Sequence, residues 1–203
     1  MKMAIVLFDG MTTLDFSGFF DAMTQLNRIP GTGGVSWRFC AMTESIVDDR
    51  GLAMRANSVS ENLSDYDLVF VPGGMATRQL RHDEAFLAWL RTASGVPWKV
   101  SVCTGGLLMG AAGWLSGKRA TTNKSAYDLL APYCGEVAYE RYVRDGQVFT
   151  GGGVSASIDL GLFVVESLYG AAAAKEAGRM MDYPYYPYKD EGEAGSHALR
   201  TQL

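Results

Sequence analysis

The stretch Lys99-Val100-Ser101-Val102-Cys103-Thr104-Gly105-Gly106-Leu107-Leu108-Met109-Gly110-Ala111-Ala112 limits the fold more than any other. It begins as a short apolar strand and continues as a helix of small residues. Cys103 sits at the join. A strand that passes into a helix without a loop makes a tight, strained turn. Ser101, Gly105 and Gly106 supply the small neighbours such a turn needs, in a cysteine version of the nucleophile-elbow pattern. A structural cysteine buried in a core strand needs no glycine pair after it. At the amino end of a helix the free N–H groups and the dipole favour a thiolate.

The rest of the chain reads as alternating strands and helices. Met3–Phe8 and Tyr66–Val71 are continuous apolar runs, the pattern of buried parallel strands. Ser36–Met42 is a further strand. Helices are expected from Leu14 to about Arg28, from Met75 to Arg81, and from Asp83 to about Ala93. Others are expected from Leu107 to Trp114, Ser125 to Ala131, Ser155 to Tyr169 and Ala171 to Met181. Ile46–Asn57 reads as a hairpin around Arg50-Gly51, an edge elaboration. Gly117–Thr122 and Val137–Tyr139 read as short strands. Val143 and Gln147–Thr150 flank the turn Asp145-Gly146. This is an α/β fold with a mainly parallel sheet. Residues 1–188 form one domain, and residues 189–203 a polar, mobile tail. Tyr183–Tyr188 is an aromatic, proline-rich segment that closes the pocket, meets a second copy or covers the core.

Composition excludes several functions. Among 203 residues the net charge is −4 with no basic run, which argues against nucleic acid. Met3–Phe8 is too short for a signal-peptide core or a membrane span. Three scattered cysteines, an odd number, argue against a disulfide framework and for a cytoplasmic setting. The two histidines, His82 and His197, lie in polar stretches away from ligand spacing. No metal, and no cofactor, is expected. A Cys-His-Asp triad lacks its histidine.

Sites in parallel sheets form at the carboxyl ends of strands, near a topological switch. Three pieces fall at that edge: Asp15 after the first strand, Gly73-Gly74 after Val71, and Cys103. Asp15 beside a thiol would have a raised pKa and could move protons near neutrality. It could equally serve in the first turn of a helix. Gly73 and Gly74 are equally a plain turn or a source of oxyanion-hole N–H groups. Gly151-Gly152-Gly153 lacks a phosphate-binding fingerprint and reads as a tight turn near the cleft.

Taken together, these residues resemble the ThiJ/PfpI superfamily over about residues 3–182. The carriers are Ile5–Gly10, Leu14-Asp15-Phe16-Ser17-Gly18, Val71-Pro72-Gly73-Gly74, Val102-Cys103-Thr104-Gly105, Ala111–Leu115, Ala120-Thr121-Thr122 and Thr150–Gly153. Asp15 in place of Glu, and Thr104 in place of His, resemble the isocyanide hydratase branch and the amidase-like domains of some regulators. The lack of a DNA-binding extension after residue 182 sets the regulators aside. The resemblance implies a flavodoxin-like doubly wound sheet with helices on both faces, and a homodimer. It also implies Cys103 as nucleophile, Asp15 as acid/base and Thr104 as a supporting contact. The chain departs from the branch at Asn123-Lys124, where His-Trp is common, and at Gly18-Phe19, where Gly-Pro is usual.

The expected activity is that of a cysteine-dependent hydratase or hydrolase of a small molecule. Isocyanide hydration to an N-formamide is favoured, with attack by the Cys103 thiolate and protonation of the nitrogen by Asp15. The alternatives are a glyoxalase-like enzyme on small carbonyls and a redox- or stress-sensing thiol.

Overall fold

A computed structural model describes residues 1–188. The predicted tail, 189–203, lies outside the described residues. The strands are β1 (Lys2–Val6), β2 (Ser36–Ala41), β3 (Ser45–Val47), β4 (Ala53–Arg55), β5 (Ser58–Val59), β6 (Leu68–Val71), β7 (Trp98–Val102), β8 (Arg119–Ala120), β9 (Glu136–Val137), β10 (Tyr142–Asp145) and β11 (Val148–Gly151). The helices are α1 (Thr13–Thr24), α2 (Thr77–Leu80), α3 (Glu84–Arg91), α4 (Gly105–Ala111), α5 (Tyr127–Leu130), α6 (Ala156–Tyr169) and α7 (Ala171–Met180).

Seven strands form the main sheet in the order β10-β11-β7-β6-β1-β2-β5. All neighbours run parallel except β10, which returns antiparallel along β11 through the Asp145-Gly146 turn. The five inner strands have the 2-1-3-4-5 order of a flavodoxin-like sheet, and the direction of winding reverses between β1 and β6. Right-handed crossovers then place α1 on one face and α2, α3 and α4 on the other. The inner strands are apolar on both faces: β6 is Leu68-Val69-Phe70-Val71, buried throughout. Phe19 of α1 stacks on Phe70 with centroids 4.1 Å apart. This contact seats α1 on the sheet. Asp15 lies one turn earlier on the same helix face.

Several expected elements are shorter than the sequence pattern implies. Only Arg119–Ala120 of the expected 117–122 strand is extended, and it pairs with β9 in a separate two-stranded sheet. The next residues leave that ladder because side chains capture them. The Thr121 N–H donates to Thr150 Oγ1 at 2.9 Å, and Thr122 Oγ1 donates to the Cys103 carbonyl at 2.7 Å. Helix α4 stops at Ala111, before Gly113 turns to a φ of +88°. The β3–β4 hairpin is present, with its turn closed by Asp48 Oδ1, which accepts from the N–H groups of Arg50 and Leu52.

The aromatic segment after α7 covers the core. Tyr186 is 2% exposed, and its hydroxyl donates to Glu166 Oε2 at 2.6 Å. The Tyr183 hydroxyl donates to Asp159 Oδ1 at 3.0 Å, which fixes the start of the segment to α6.

Helices α1 and α6 pack closely because small residues line the contact. A Cβ added at Gly18 would lie 2.2 Å from Ser157 Oγ. Ser157 Oγ in turn donates to the Leu14 carbonyl at 2.9 Å. Gly18→Val is therefore expected to force the helices apart and to cost about 1–3 kcal/mol. A thermal melt followed by circular dichroism should show a Tm lower by several degrees. A melt unchanged from wild type would mean that the contact yields freely.

Candidate functional site

Sequence reasoning brings Asp15, Gly73, Thr104 and Cys103 to one edge of the sheet, and the structure joins them. Cys103 has a φ of +53°, in the left-handed region that costs an ordinary residue about 1–2 kcal/mol. The strained peptide is held from both sides. The Cys103 N–H donates to the carbonyls of Gly151 and Gly152 at 3.0 and 2.7 Å. Its carbonyl accepts from Thr122 Oγ1. Gly105 has to be glycine, since a Cβ there would lie 2.2 Å from the Val71 carbonyl oxygen.

Asp15 is the third residue of α1 and has no exposed surface. Its Oδ2 accepts from the Gly73 N–H at 2.9 Å. Its Oδ1 is buried without a partner that meets hydrogen-bond geometry, although the carboxyl lies close enough to the Cys103 thiol for each to alter the other's proton affinity. Burial raises Asp15 to about 7, against the opposing pull of the Cys103 thiol and the Gly73 N–H, with the Asp49 charge adding to the rise. Burial also raises the Cys103 thiol, to about 11, and the negative charge on Asp15 pushes the same way. The Thr104 N–H and the Asn123 amide favour the thiolate without overcoming burial. Burial thus opposes the thiolate expected at a helix amino end.

Gly73 sits at the meeting point. A Cβ there would lie 2.6 Å from the Thr104 nitrogen, 2.7 Å from Asp15 Oδ2 and 2.8 Å from Cys103 Cβ. Its N–H is directed at Asp15, and the Gly74 N–H at Thr104 Oγ1 at 3.0 Å. These two N–H groups, considered for an oxyanion hole, are engaged within the protein. Thr104 Oγ1 also donates to the Gly74 carbonyl at 3.0 Å, so its hydroxyl fastens the β6 turn to the elbow.

Asn123, which the family resemblance places at the pocket wall as a departure from the branch pattern, touches the Cys103 sulfur. Its Nδ2 donates to Cys103 Sγ at 3.5 Å. Its Oδ1 accepts from the Ser125 N–H at 3.0 Å, which orients the amide. No local sequence signal reveals this, because 20 residues separate it from the thiol. The hairpin likewise has a role beyond edge elaboration. Asp49 Oδ2 accepts from Thr12 Oγ1 at 2.7 Å, and Asp48 Oδ2 from Thr13 Oγ1 at 2.5 Å. The hairpin thereby braces the entry of the helix that carries Asp15.

A cleft of about 670 Å³ opens beside Asn123. Its walls include Leu14, Lys124, Tyr127, Tyr139, Gly152 and Gly153. No cysteine is among the residues that line this cleft or a second cavity of about 380 Å³ between Phe8, Ile46 and Phe86. His82 is exposed between α2 and α3, and His197 lies outside the described residues. Among the described residues no group of three or more His, Cys, Asp or Glu could hold a metal ion. Cys40 is buried against the Tyr66 hydroxyl at 3.5 Å, a packing role. No helix among the described residues is long and apolar enough to cross a membrane.

Comparison with known proteins gives a consistent picture. The model of the DJ-1/PfpI family matches residues 1–167. An isonitrile hydratase from Pseudomonas putida is 33% identical over 193 residues, covering 95% of this chain and 82% of that protein. The crystal structure of a ThiJ/PfpI family protein from Pseudomonas syringae superposes with a TM-score of 0.82 at 30% identity, over 95% of this chain and 78% of that one. Drosophila melanogaster DJ-1beta shares the fold, with a TM-score of 0.78 at 19% identity over 91% of this chain and 98% of that one.

The coupling has two measurable consequences. Removing the negative charge in Asp15→Asn favours the thiolate, so the pH midpoint for iodoacetamide alkylation of Cys103 should move below that of wild type. A midpoint that stays or rises would refute the coupling. The second concerns stability. The Asp15 carboxyl binds its proton more tightly in the folded than in the unfolded chain, about 7 against 3.8. The folded state therefore holds more protons between these values, and its stability falls as pH rises through that window. Asp15→Asn should flatten this slope in urea titrations at pH 4 to 8.

Proposed function

Because the chain belongs to the DJ-1/PfpI family, we propose that it is a cysteine-dependent hydratase of a small electrophile, with an isocyanide as the substrate that fits the site best. One observation carries this reading: among the described residues, a buried thiol has a carboxyl of near-neutral pKa as its proton partner and no histidine in reach. The likeness to the Pseudomonas putida isonitrile hydratase supports the choice of substrate.

The chemistry follows from where the proton can go. As Cys103 Sγ bonds to the terminal isocyanide carbon, the thiol proton passes to the Asp15 carboxylate. That carbon then holds an electron pair and takes the proton back from Asp15. The product is a thioimidate, R–N=CH–S–Cys103. Valence places this first proton on carbon, not on nitrogen as the sequence reading had it. Asp15, ionised again, then takes a proton from water as its oxygen adds to the same carbon, and the nitrogen gains its hydrogen. Collapse of the adduct breaks the carbon–sulfur bond, releases R–NH–CHO and returns a proton to the sulfur. The Asn123 amide, which donates to Sγ, steadies the charge on the sulfur as it leaves.

A carboxyl with a pKa near 7 suits both directions of transfer. The raised thiol weighs against a redox sensor, since oxidation follows thiolate population.

Purified protein incubated with an aromatic isocyanide should form the N-formamide. Cys103→Ala should abolish turnover, and Asp15→Asn should lower kcat by about 100- to 10,000-fold. Lactate from methylglyoxal, with no formamide from any isocyanide, would replace this reading with a glyoxalase-like one. Undiminished turnover by Cys103→Ala would remove Cys103 from the mechanism.

A further inference from the structure

Asp159 is a buried acid on a mostly apolar stretch of α6, with a side chain only 3% exposed. An acid in the first turn of a helix can serve the dipole from the surface, so the dipole does not account for the burial. Both carboxyl oxygens are used. Oδ2 accepts from Arg141 Nε at 2.6 Å, and Arg141 Nη2 pairs with the same oxygen. Oδ1 accepts from the Tyr183 hydroxyl at 3.0 Å.

The backbone of Arg141 leads from this pair to the elbow. Its carbonyl accepts from the Gly152 N–H at 2.8 Å, one step past Tyr142 and Gly151 in the β10–β11 ladder. The Gly152 carbonyl in turn accepts from the Cys103 N–H at 2.7 Å, the shorter of the two bonds on that left-handed peptide. A second ion pair anchors the same segment, between Glu140 and Arg119, which also pairs with Glu136. Those side chains are partly exposed, where ion pairs contribute little. Water cannot replace Arg141 at the buried Asp159 carboxyl, so that pair is the firmer anchor.

We infer that Asp159 is a positioning residue for Cys103: acting through Arg141 and Gly152, it holds the elbow peptide in the left-handed conformation that brings the thiol to Asp15 and Asn123. Without that hold, the peptide relaxes toward unstrained backbone and the sulfur draws away from both partners. The groups that face the sulfur are Asp15 and the Asn123 amide. Those that face Asp159 are Arg141, Tyr183, Tyr142 and Tyr188, of which Arg141 alone is a cation. The inference concerns where the thiol is held and does not depend on the substrate proposed above.

Asp159→Asn keeps the size of the side chain and an acceptor for the Tyr183 hydroxyl, and it removes the charge that holds Arg141. The freed guanidinium, on a side chain 44% exposed, can turn to water. Iodoacetamide alkylation of Cys103, followed by peptide mass against pH, reads the surroundings of the sulfur. Burial and Asp15 raise this thiol, so its midpoint should fall by about one unit in Asp159→Asn, with a roughly ten-fold higher rate well below the midpoint. Adding Asp15→Asn should then shift the midpoint less than it does in the wild-type background, because the two groups no longer face each other. Val165→Ala, a cavity variant of the same helix, should lower the Tm and leave both readings as in wild type. If Asp159→Asn does not fold, Arg141→Met/Asp159→Asn, which leaves no charge unpaired, should give the same shift. An unchanged or raised midpoint would overturn the inference. So would a shift shared by Val165→Ala, or a full Asp15→Asn shift in the Asp159→Asn background. In parallel, kcat with an aromatic isocyanide should fall about 10- to 100-fold in Asp159→Asn. If wild type turns over no isocyanide and the midpoint still falls, the hydratase reading fails and the positioning role stands. If wild type turns it over and the midpoint does not move, the reverse holds.

Discussion

The structure depends on one buried encounter, between the Asp15 carboxyl and the Cys103 thiol. Burial disfavours the charged form of each group, and the charge on either raises the proton affinity of the other. Each group therefore binds its proton more tightly than it would in water. In water such a pair would be an ordinary carboxylate and an ordinary thiol. Here burial and proximity couple the two groups, so that a change in the charge of one alters the proton affinity of the other. Gly73 makes the encounter possible, because its missing side chain lets three segments approach and its N–H fixes the carboxyl.

Holding that encounter costs stability, and the scaffold offsets the cost locally. The left-handed Cys103 peptide is clamped by Gly151, Gly152 and Thr122. The neighbouring turn is fastened by Thr104 through both groups of Gly74. Helix α1 is seated by Phe19 on Phe70 and braced at its start by Asp48 and Asp49 of the hairpin. Each device acts on the backbone that carries Asp15 or Cys103, not on the side chain itself. A change at Gly18 or in the hairpin would therefore reach Asp15 through the position of α1.

Much of the fold was legible because it depends on local pattern. Continuous apolar runs marked β1 and β6, and the glycines after Cys103 marked the elbow. Elements failed to match where side chains overrode pattern. Thr121 and Thr122 have strong strand character, yet their bonds to Thr150 and to the Cys103 carbonyl draw them away from the β8 ladder. The thiolate expectation meets an opposing effect for a related reason. A helix amino end is visible in sequence, whereas desolvation depends on everything packed around the sulfur.

By itself the sequence determined the α/β winding, the strained cysteine turn and the residues that the strand ends would bring together. These follow from periodicity, glycine placement and the handedness of crossovers, which act over short spans of chain. Only the tertiary structure decided that burial works against the Cys103 thiolate and that Asn123 reaches the sulfur. The tertiary structure alone also decided that Tyr183–Tyr188 covers the core. These are properties of distance and dielectric between residues far apart in the chain, and no local pattern encodes them.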